Sequence, residues 1–532
     1  MTVEVLVAPN WKRLAVAVAS TIGLLAAVLA LNPGDASALT LGTSQILTVN
    51  GIHHDGRVIG ISCTPAVGAA PAGCVGVGTN EGNQKPLVVI GDGATVTASY
   101  ADADTGRHLL QDVWCASTAR CVAVGWADGA TGNHQYIMEY SSGTWTRVAA
   151  IDPPHWSAVS GGIRLAEISC TDIDNCVAVG WFQADGTATP ANSVRPIAYS
   201  KIGGTWSYQV VEPTGATFSA YTNPPTSRFT SVRCVSATKC IAAGTYGTTS
   251  GQALLPFAAV GTVSGGVMTW TTTSVPIGDL AAFSYGDVPL LDCSSANYCV
   301  VAGNYDGPSS TPKNFYWAYA NGSWAANATV SDLDPTDHNY VYGIDCPSDG
   351  LCFIVGANAS WSHGSLITLT NGTPAFQVLD RPGDTAISGL TAITCVNAYS
   401  CAIAGAGSTD GRWHTTIGSL ENGVWSMYPT YAAIPSEWES DISGSNAIDC
   451  RADGQCWMGT AANSSNETKA TLTDFTITVT NGGGGSSSTT TTTIGSSTTT
   501  APGSPDLRGV EPTSGSTDPT TVGDPVAPAY TG

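Results

Sequence analysis

Sixteen cysteines carry the most reactive side chains of this chain, and their spacing limits what they do. They fall into eight consecutive pairs with none left over: Cys63/Cys74, Cys115/Cys121, Cys170/Cys176, Cys234/Cys240, Cys293/Cys299, Cys346/Cys352, Cys395/Cys401 and Cys450/Cys456. Paired thiols either ligate a metal or cross-link. Tetrahedral zinc sites use closely spaced CxxC pairs with a second pair or histidines nearby, and neither accompanies these cysteines. Disulfides are therefore expected, one per pair, and they leave no catalytic thiol. Spacing alone leaves the connectivity formally open. Pairing within each unit is the one arrangement that makes every unit self-contained.

Other candidate sites are sparse. His53-His54-Asp55 offers metal-ligating and acid/base groups, but neighbours on a strand point to opposite faces, so a turn before the first repeat is expected there. Asp102-x-Asp104-x-Gly106 and Asp172-x-Asp174-Asn175 carry the alternating oxygens that Ca2+ accepts. Both lack the downstream Glu of an EF-hand loop, so a polar hairpin loop is the competing reading. No GxSxG elbow, phosphate-binding loop or HExxH helix occurs, and no catalytic residue is assigned. A glycosidase pair of carboxylates assembled from distant loops stays open; it predicts carboxylates converging with aromatics at a central mouth.

The elements that position these residues follow from the repeat. Seven of the pairs enclose five residues and the first encloses ten, and successive pairs begin 49 to 64 residues apart. Recurrence at that length marks a repeat architecture. Each unit holds four short apolar segments, for example Leu110–Cys115, Cys121–Trp126, Tyr136–Tyr140 and Thr144–Ala150. The second segment is the most apolar: Cys-Val-Ala-Val-Gly occurs twice, with close variants in other units. Such runs read as strands buried on both faces. Asp-Gly follows the second segment at Asp128-Gly129, Asp185-Gly186, Asp306-Gly307 and Asp410-Gly411. Asn-Gly separates the third from the fourth at Asn321-Gly322, Asn371-Gly372 and Asn422-Gly423. Both dipeptides favour tight hairpins. Trp145, Trp206, Trp324 and Trp425 open the fourth segment and are expected to cover the edge between neighbouring units, with sugar stacking as the alternative.

Together these features predict an all-β propeller of eight four-stranded blades, one disulfide in each, with seven blades as the alternative. An open solenoid needs polar capping units, and neither terminal repeat looks capped. Thr43 to Asn50 forms an extra strand that could complete the last blade, whose own fourth strand near Phe475 to Thr480 is ambiguous. The succession of Ser or Asp, Cys, a five-residue loop, Cys-Val-Ala-Val-Gly, an Asp-Gly turn and Gly-Thr-Trp resembles secreted propeller-like repeat proteins of high-GC Gram-positive bacteria, over about residues 57 to 480. It is distantly similar to kelch and sialidase-type repeats; the sialidase Asp-box is matched only in its tail, at Gly143-Thr144-Trp145 and Gly204-Thr205-Trp206. The resemblance implies an architecture and leaves the function open.

The ends set the expected address. Lys12 and Arg13 precede an apolar run from Leu14 to Leu31, then Asn32-Pro33-Gly34 and Ala36-Ser37-Ala38, the layout of a secretory signal over residues 1–38. The run is also near the length of a membrane span, so an uncleaved anchor is the alternative and the only expected membrane contact. Residues 39–480 form the propeller, and 481–532 a Gly/Ser/Thr/Pro-rich tail that cannot bury a core. With 19 basic and 40 acidic side chains, a net charge of −21, the chain repels phosphate backbones, and nucleic acid is not an expected partner. The expectation is a protein outside the cell or on its surface, a non-enzymatic binding, adhesion or scaffold module for a glycan or surface protein. A carbohydrate-active hydrolase or lyase is the alternative.

Overall fold

The computed structural model describes residues 40–480 apart from short connecting stretches, the longer ones being 217–226, 248–253, 277–288, 332–338, 380–385, 430–438 and 441–446. The expected signal or anchor segment 1–38 and the tail 481–532 lie outside the described residues.

Eight antiparallel sheets follow one another along the chain, each with the strand order of a propeller blade. Blade 2 shows the plan: Arg107–Ser117 innermost, then Arg120–Asp128, Gln135–Ser141 and Thr144–Arg147. The second strands are buried along their length, as in Asn175–Gln183 and Lys239–Gly247, because each is covered by a neighbouring blade on both faces. The core accordingly consists of clusters that span two adjacent blades. In blade 5 the fourth strand comes in two pieces, Ser323–Trp324 and Thr329–Ser331. Among the described residues no helix is long and apolar enough to cross a membrane.

Ring closure uses the start of the chain. Thr40–Ile46 pairs antiparallel with Glu467–Thr476, from Thr40 opposite Thr476 to Ile46 opposite Thr471, and so supplies the fourth strand of blade 8. The segment around Phe475 is the end of that blade's third strand, which resolves the ambiguity at Phe475 to Thr480 and fixes the blade number at eight. The interface between blades 8 and 1 is then packed like the others, with Val58, Leu87 and Val89 against Trp457 and Leu472.

Each blade holds one disulfide. In blade order the bridges are Cys63–Cys74, Cys115–Cys121, Cys170–Cys176, Cys234–Cys240, Cys293–Cys299, Cys346–Cys352, Cys395–Cys401 and Cys450–Cys456. Among the described residues no cysteine is free. The bridges join the first strand of the blade to the second, commonly between directly opposed residues such as Cys115 and Cys121 or Cys450 and Cys456. Loops this short restrain the unfolded chain by about 2 kcal/mol per bridge on the chain-entropy view. Eight bridges fit a protein that matures in an oxidising compartment.

Turn chemistry follows the sequence in one of its two families. The turns between third and fourth strands place both central residues at positive φ, as in Asn321-Gly322 (51° and 88°) and Asn371-Gly372 (49° and 79°), the type I′ geometry that asparagine and glycine tolerate. The Asp-Gly turns correct the expectation of uniform tight hairpins. Thr409 pairs with Arg412, leaving two residues between their strands. Asp128 is followed by a strand that begins only at Gln135, and Gln183 pairs with Val194. Those connections are longer because the outer part of the blade starts further along the chain.

The glycine of Cys-Val-Ala-Val-Gly has a steric reason. A β-carbon on Gly125 would lie 1.9 Å from the Leu109 carbonyl oxygen, and one on Gly180 would lie 2.0 Å from that of Arg164. At the same level the first strand carries a bulge, between Leu110 and Asp112 in blade 2 and between Leu165 and Glu167 in blade 3. A bulge re-aims the residues that follow it, and here those residues reach the propeller axis. Gly125→Ala is therefore expected to lower unfolding free energy by about 1–3 kcal/mol, read from chemical denaturation. An unchanged midpoint would mean that the bulge tolerates a side chain.

Candidate functional site

The innermost strands run past the axis, and the two or three residues before each first cysteine face the adjacent blade there. At the position immediately before that cysteine stand Ser62, Trp114, Ser169, Arg233, Asp292, Asp345, Thr394 and Asp449, in blade order. Two residues earlier, blades 2 and 3 add Asp112 and Glu167.

These side chains join each blade to the next. The backbone N–H of the next blade's first cysteine donates to Ser62 Oγ (Cys115, 3.1 Å), Ser169 Oγ (Cys234, 2.9 Å), Asp292 Oδ2 (Cys346, 2.7 Å) and Asp345 Oδ2 (Cys395, 3.0 Å). The seam between the last blade and the first is joined the same way, with Cys63 N–H donating to Asp449 Oδ2 at 2.7 Å. Where Trp114 replaces the acceptor, Asp112 takes over and receives Ile168 N–H at 2.9 Å, while Trp114 packs on the cluster shared with blade 3. Glu167 receives Val232 N–H at 2.9 Å. Arg233 reaches both ways, pairing with Glu167 behind it and donating from Nε to Asp292 Oδ1 at 2.7 Å ahead. Between blades 7 and 8 the contact is a hydroxyl one, Thr394 Oγ1 to Asp449 Oδ1 at 3.4 Å.

Five carboxylates and one guanidinium thus gather around the axis. Burial is the main force on their protonation. It pushes Asp112 up to about 7, helped by the charge of Glu167, and Asp449 up to about 6. Asp345 is also pushed well above the ordinary carboxylate range, by burial and by the charge of Asp292. Bonds from backbone amides and the charge of Arg233 oppose these rises at all three groups. A neutral carboxyl still accepts an amide N–H through its carbonyl oxygen, so protonation leaves the bond to the next blade in place.

The half-cystines are neighbours of this cluster and not members of it. Five of the first cysteines, Cys63, Cys115, Cys234, Cys346 and Cys395, contribute their backbone amide to an axial joint. The second, at Cys74, Cys121, Cys176, Cys240, Cys299, Cys352, Cys401 and Cys456, lies in the sandwiched second strand and is sealed from solvent. With both sulfurs bonded to each other, these residues offer neither a nucleophile nor a metal ligand, and their part is structural.

The remaining sequence-derived candidates lie away from the axis. Asp172 receives Asp174 N–H (2.9 Å) and the Asn175 side-chain amide (2.9 and 3.0 Å) in the hairpin between two strands of blade 3. The Asn175 bond is the main influence that holds the exposed Asp172 carboxyl below its ordinary range. Asp102 accepts from the Tyr136 hydroxyl at 3.5 Å, and Asp104 lies outside the described residues. Among the described residues no three His, Cys, Asp or Glu side chains form a group able to hold a metal. His53 is in a short hairpin pairing with Thr48, before blade 1; His54 and Asp55 lie outside the described residues. The four tryptophans pack into clusters shared with an adjacent blade. Trp206 Nε1 donates to Glu139 of blade 2 at 2.8 Å, and the Trp425 ring meets Phe353 of blade 6 edge-on at 5.7 Å.

The axial acceptors were the residues that sequence reasoning missed as a site. Ser or Asp before cysteine is visible as a recurrence, but its role depends on the bulge and on which blade stands next. Asp449→Ala is expected to cost about 1–3 kcal/mol by orphaning the Cys63 amide at the seam. The raised carboxyls bind protons more tightly folded than unfolded, so their contribution is fully present below about pH 4 and is lost as pH rises to about 7. Thermal melts should show stability falling over that window, and falling less in Asp449→Ala. A rise with pH in both proteins would contradict the assignment.

No known protein family matches the chain, and no curated protein is similar to it in sequence. Solved structures similar to it include a polysaccharide lyase (11% identity, 82% of this chain and 99% of that one, TM-score 0.43). A second is the β-propeller domain of the Trilobed protease from Pyrococcus furiosus (7% identity, 67% and 89%, TM-score 0.37). A third is the neuraminidase-like protein of subtype N11 from A/flat-faced bat/Peru/033/2010 (12% identity, 58% and 86%, TM-score 0.32).

Proposed function

We propose that this protein is a non-enzymatic binding or scaffold module that works outside the cell or at its surface, a disulfide-stapled ring presenting loops to a glycan or a surface protein. The observation that supports it most is the state of the axial carboxylates. Asp112, Glu167, Asp292 and Asp449 have both oxygens engaged by backbone amides, a hydroxyl or Arg233. Groups so committed hold blades together and have little freedom to exchange protons with a substrate. Eight bridges, a secretory-type leader and an acidic surface agree with an extracellular address.

One observation favours the carbohydrate-active alternative. Asp345 gives a single oxygen to Cys395, and its other oxygen has no partner among the described residues. With its proton affinity raised, it is the one axial carboxyl suited to act as a general acid.

The two readings separate in one assay. The purified, oxidised full-length protein is incubated with cell-wall and host-type polysaccharides while binding and reducing-sugar or unsaturated-sugar release are followed together. Binding without turnover is expected. Turnover that disappears in Asp345→Asn would replace the binding module by an axial enzyme.

A further inference from the structure

Between blades 5 and 6, on the end of the ring that carries the disulfide hairpins, lies a cleft of about 480 Å3. That volume is in the range of small-molecule sites. Its wall on the blade 5 side contains Tyr298 and Tyr316, which are 8% and 2% exposed. Neither phenol oxygen has a hydrogen-bond partner among the described residues. An unpaired buried hydroxyl costs about 1–3 kcal/mol, so two lining one cavity call for a reason.

The repeat shows how unusual this wall is. Tyr316 stands opposite Ala302 on the neighbouring strand. The residues at the same register in the other blades are Val88, Ile137, Ala198, Ala258, Leu366, Ile417 and Leu472, all aliphatic. Two residues on, blade 5 has Ala318, where blades 1, 2 and 4 carry the larger Ile90, Glu139 and Val260. Blade 5 has thus gained a hydroxyl and lost volume at the same spot.

The rim is polar and fixed. Asp349 of blade 6 accepts from Ser294 Oγ (2.6 Å) and Ser295 Oγ (2.7 Å) of blade 5 and ties the two hairpins together. Asn321 N–H donates to the Asn297 carbonyl at 2.9 Å and Asn371 N–H to that of Gly350 at 2.6 Å, which holds the flanking turns. Asn297, Asn321 and Asn371 line the cleft beside the phenols, and no cationic side chain is among its lining residues. An anion finds no counter-charge there. Hydroxyls, carboxamides and small apolar side chains together match a ligand with many hydroxyls and an apolar ring face.

We propose that this cleft binds a neutral saccharide unit of one or two rings, held by Tyr298, Tyr316 and the three asparagines over the alanine floor. The site is separate from the axial carboxylates and, resting on the reading of the protein as a binding module, gives that module a ligand class. Its failure would leave the non-enzymatic reading to be decided by turnover alone.

The test uses the full-length oxidised protein. Neutral mono- and disaccharides of glucose, galactose and mannose, with glucuronate and glucosamine as charged probes, are screened by saturation-transfer NMR and titration calorimetry. The variants are Tyr316→Phe and Ala318→Trp, with their melting curves recorded to verify folding. At least one neutral saccharide is expected to bind, about five- to tenfold more weakly to Tyr316→Phe and not at all to Ala318→Trp. The proposal is overturned if no neutral saccharide in the panel binds, if binding survives in folded Ala318→Trp, or if only a charged probe binds.

Discussion

One hydrogen bond, repeated around the axis, carries the architecture: a side chain ahead of one blade's first cysteine accepts the backbone N–H of the next blade's first cysteine. Side chain and amide belong to different sheets, so each bond sets the position of a whole blade. It also ends beside a disulfide, which fixes the donor to the second strand and therefore to the buried middle of its sheet. Asp449 to Cys63 at 2.7 Å makes the seam equivalent to the internal joints. Where the acceptor is lost, a neighbour replaces it, as Asp112 does beside Trp114.

This arrangement explains an otherwise awkward feature, a concentration of carboxylates in a chain that already carries a net charge of −21. Each axial acid costs desolvation and repels its fellows. Amide donors offset part of that cost, and Arg233, set between Glu167 and Asp292, offsets more. The remainder appears as raised proton affinity at Asp112, Asp345 and Asp449. A serine serves the same joint in blades 1 and 3 without charge, so the aspartates that take its place lie in blades 5, 6 and 8, beyond Arg233 along the chain.

Much of the fold was legible because its signals are local. Cysteine spacing gave the unit and the within-blade bridges, the Cys-Val-Ala-Val-Gly run gave the buried second strand, and the spare strand near Thr43 pointed to closure through blade 8. The axial site was far less so. Ser62 and Asp449 are 387 positions apart in sequence and become related only when the ring closes. The glycine of the run was visible, but not the bulge it permits, and the bulge decides which residues face the axis. The Asp-Gly dipeptides misled because loop length there is set by where the third strand starts. Tyr316 escaped notice because it is unusual only against seven equivalents that require the register to align.

The closure strand also determines how the ring responds to force. Thr40 and Thr476 sit at the same end of their antiparallel pair, so a pull between the two chain ends peels that pair one bond at a time instead of shearing it. On the C-terminal side the load first meets Thr480 on Ser400 and Ile477 on Gly454. Blade 8 is thus the mechanical fuse. Once it yields, the load passes to the seam between blades 8 and 1, to the Cys63–Asp449 bond and the packing of Val58, Leu87 and Val89 on Trp457 and Leu472, and within each blade the disulfide keeps its short hairpin from extending.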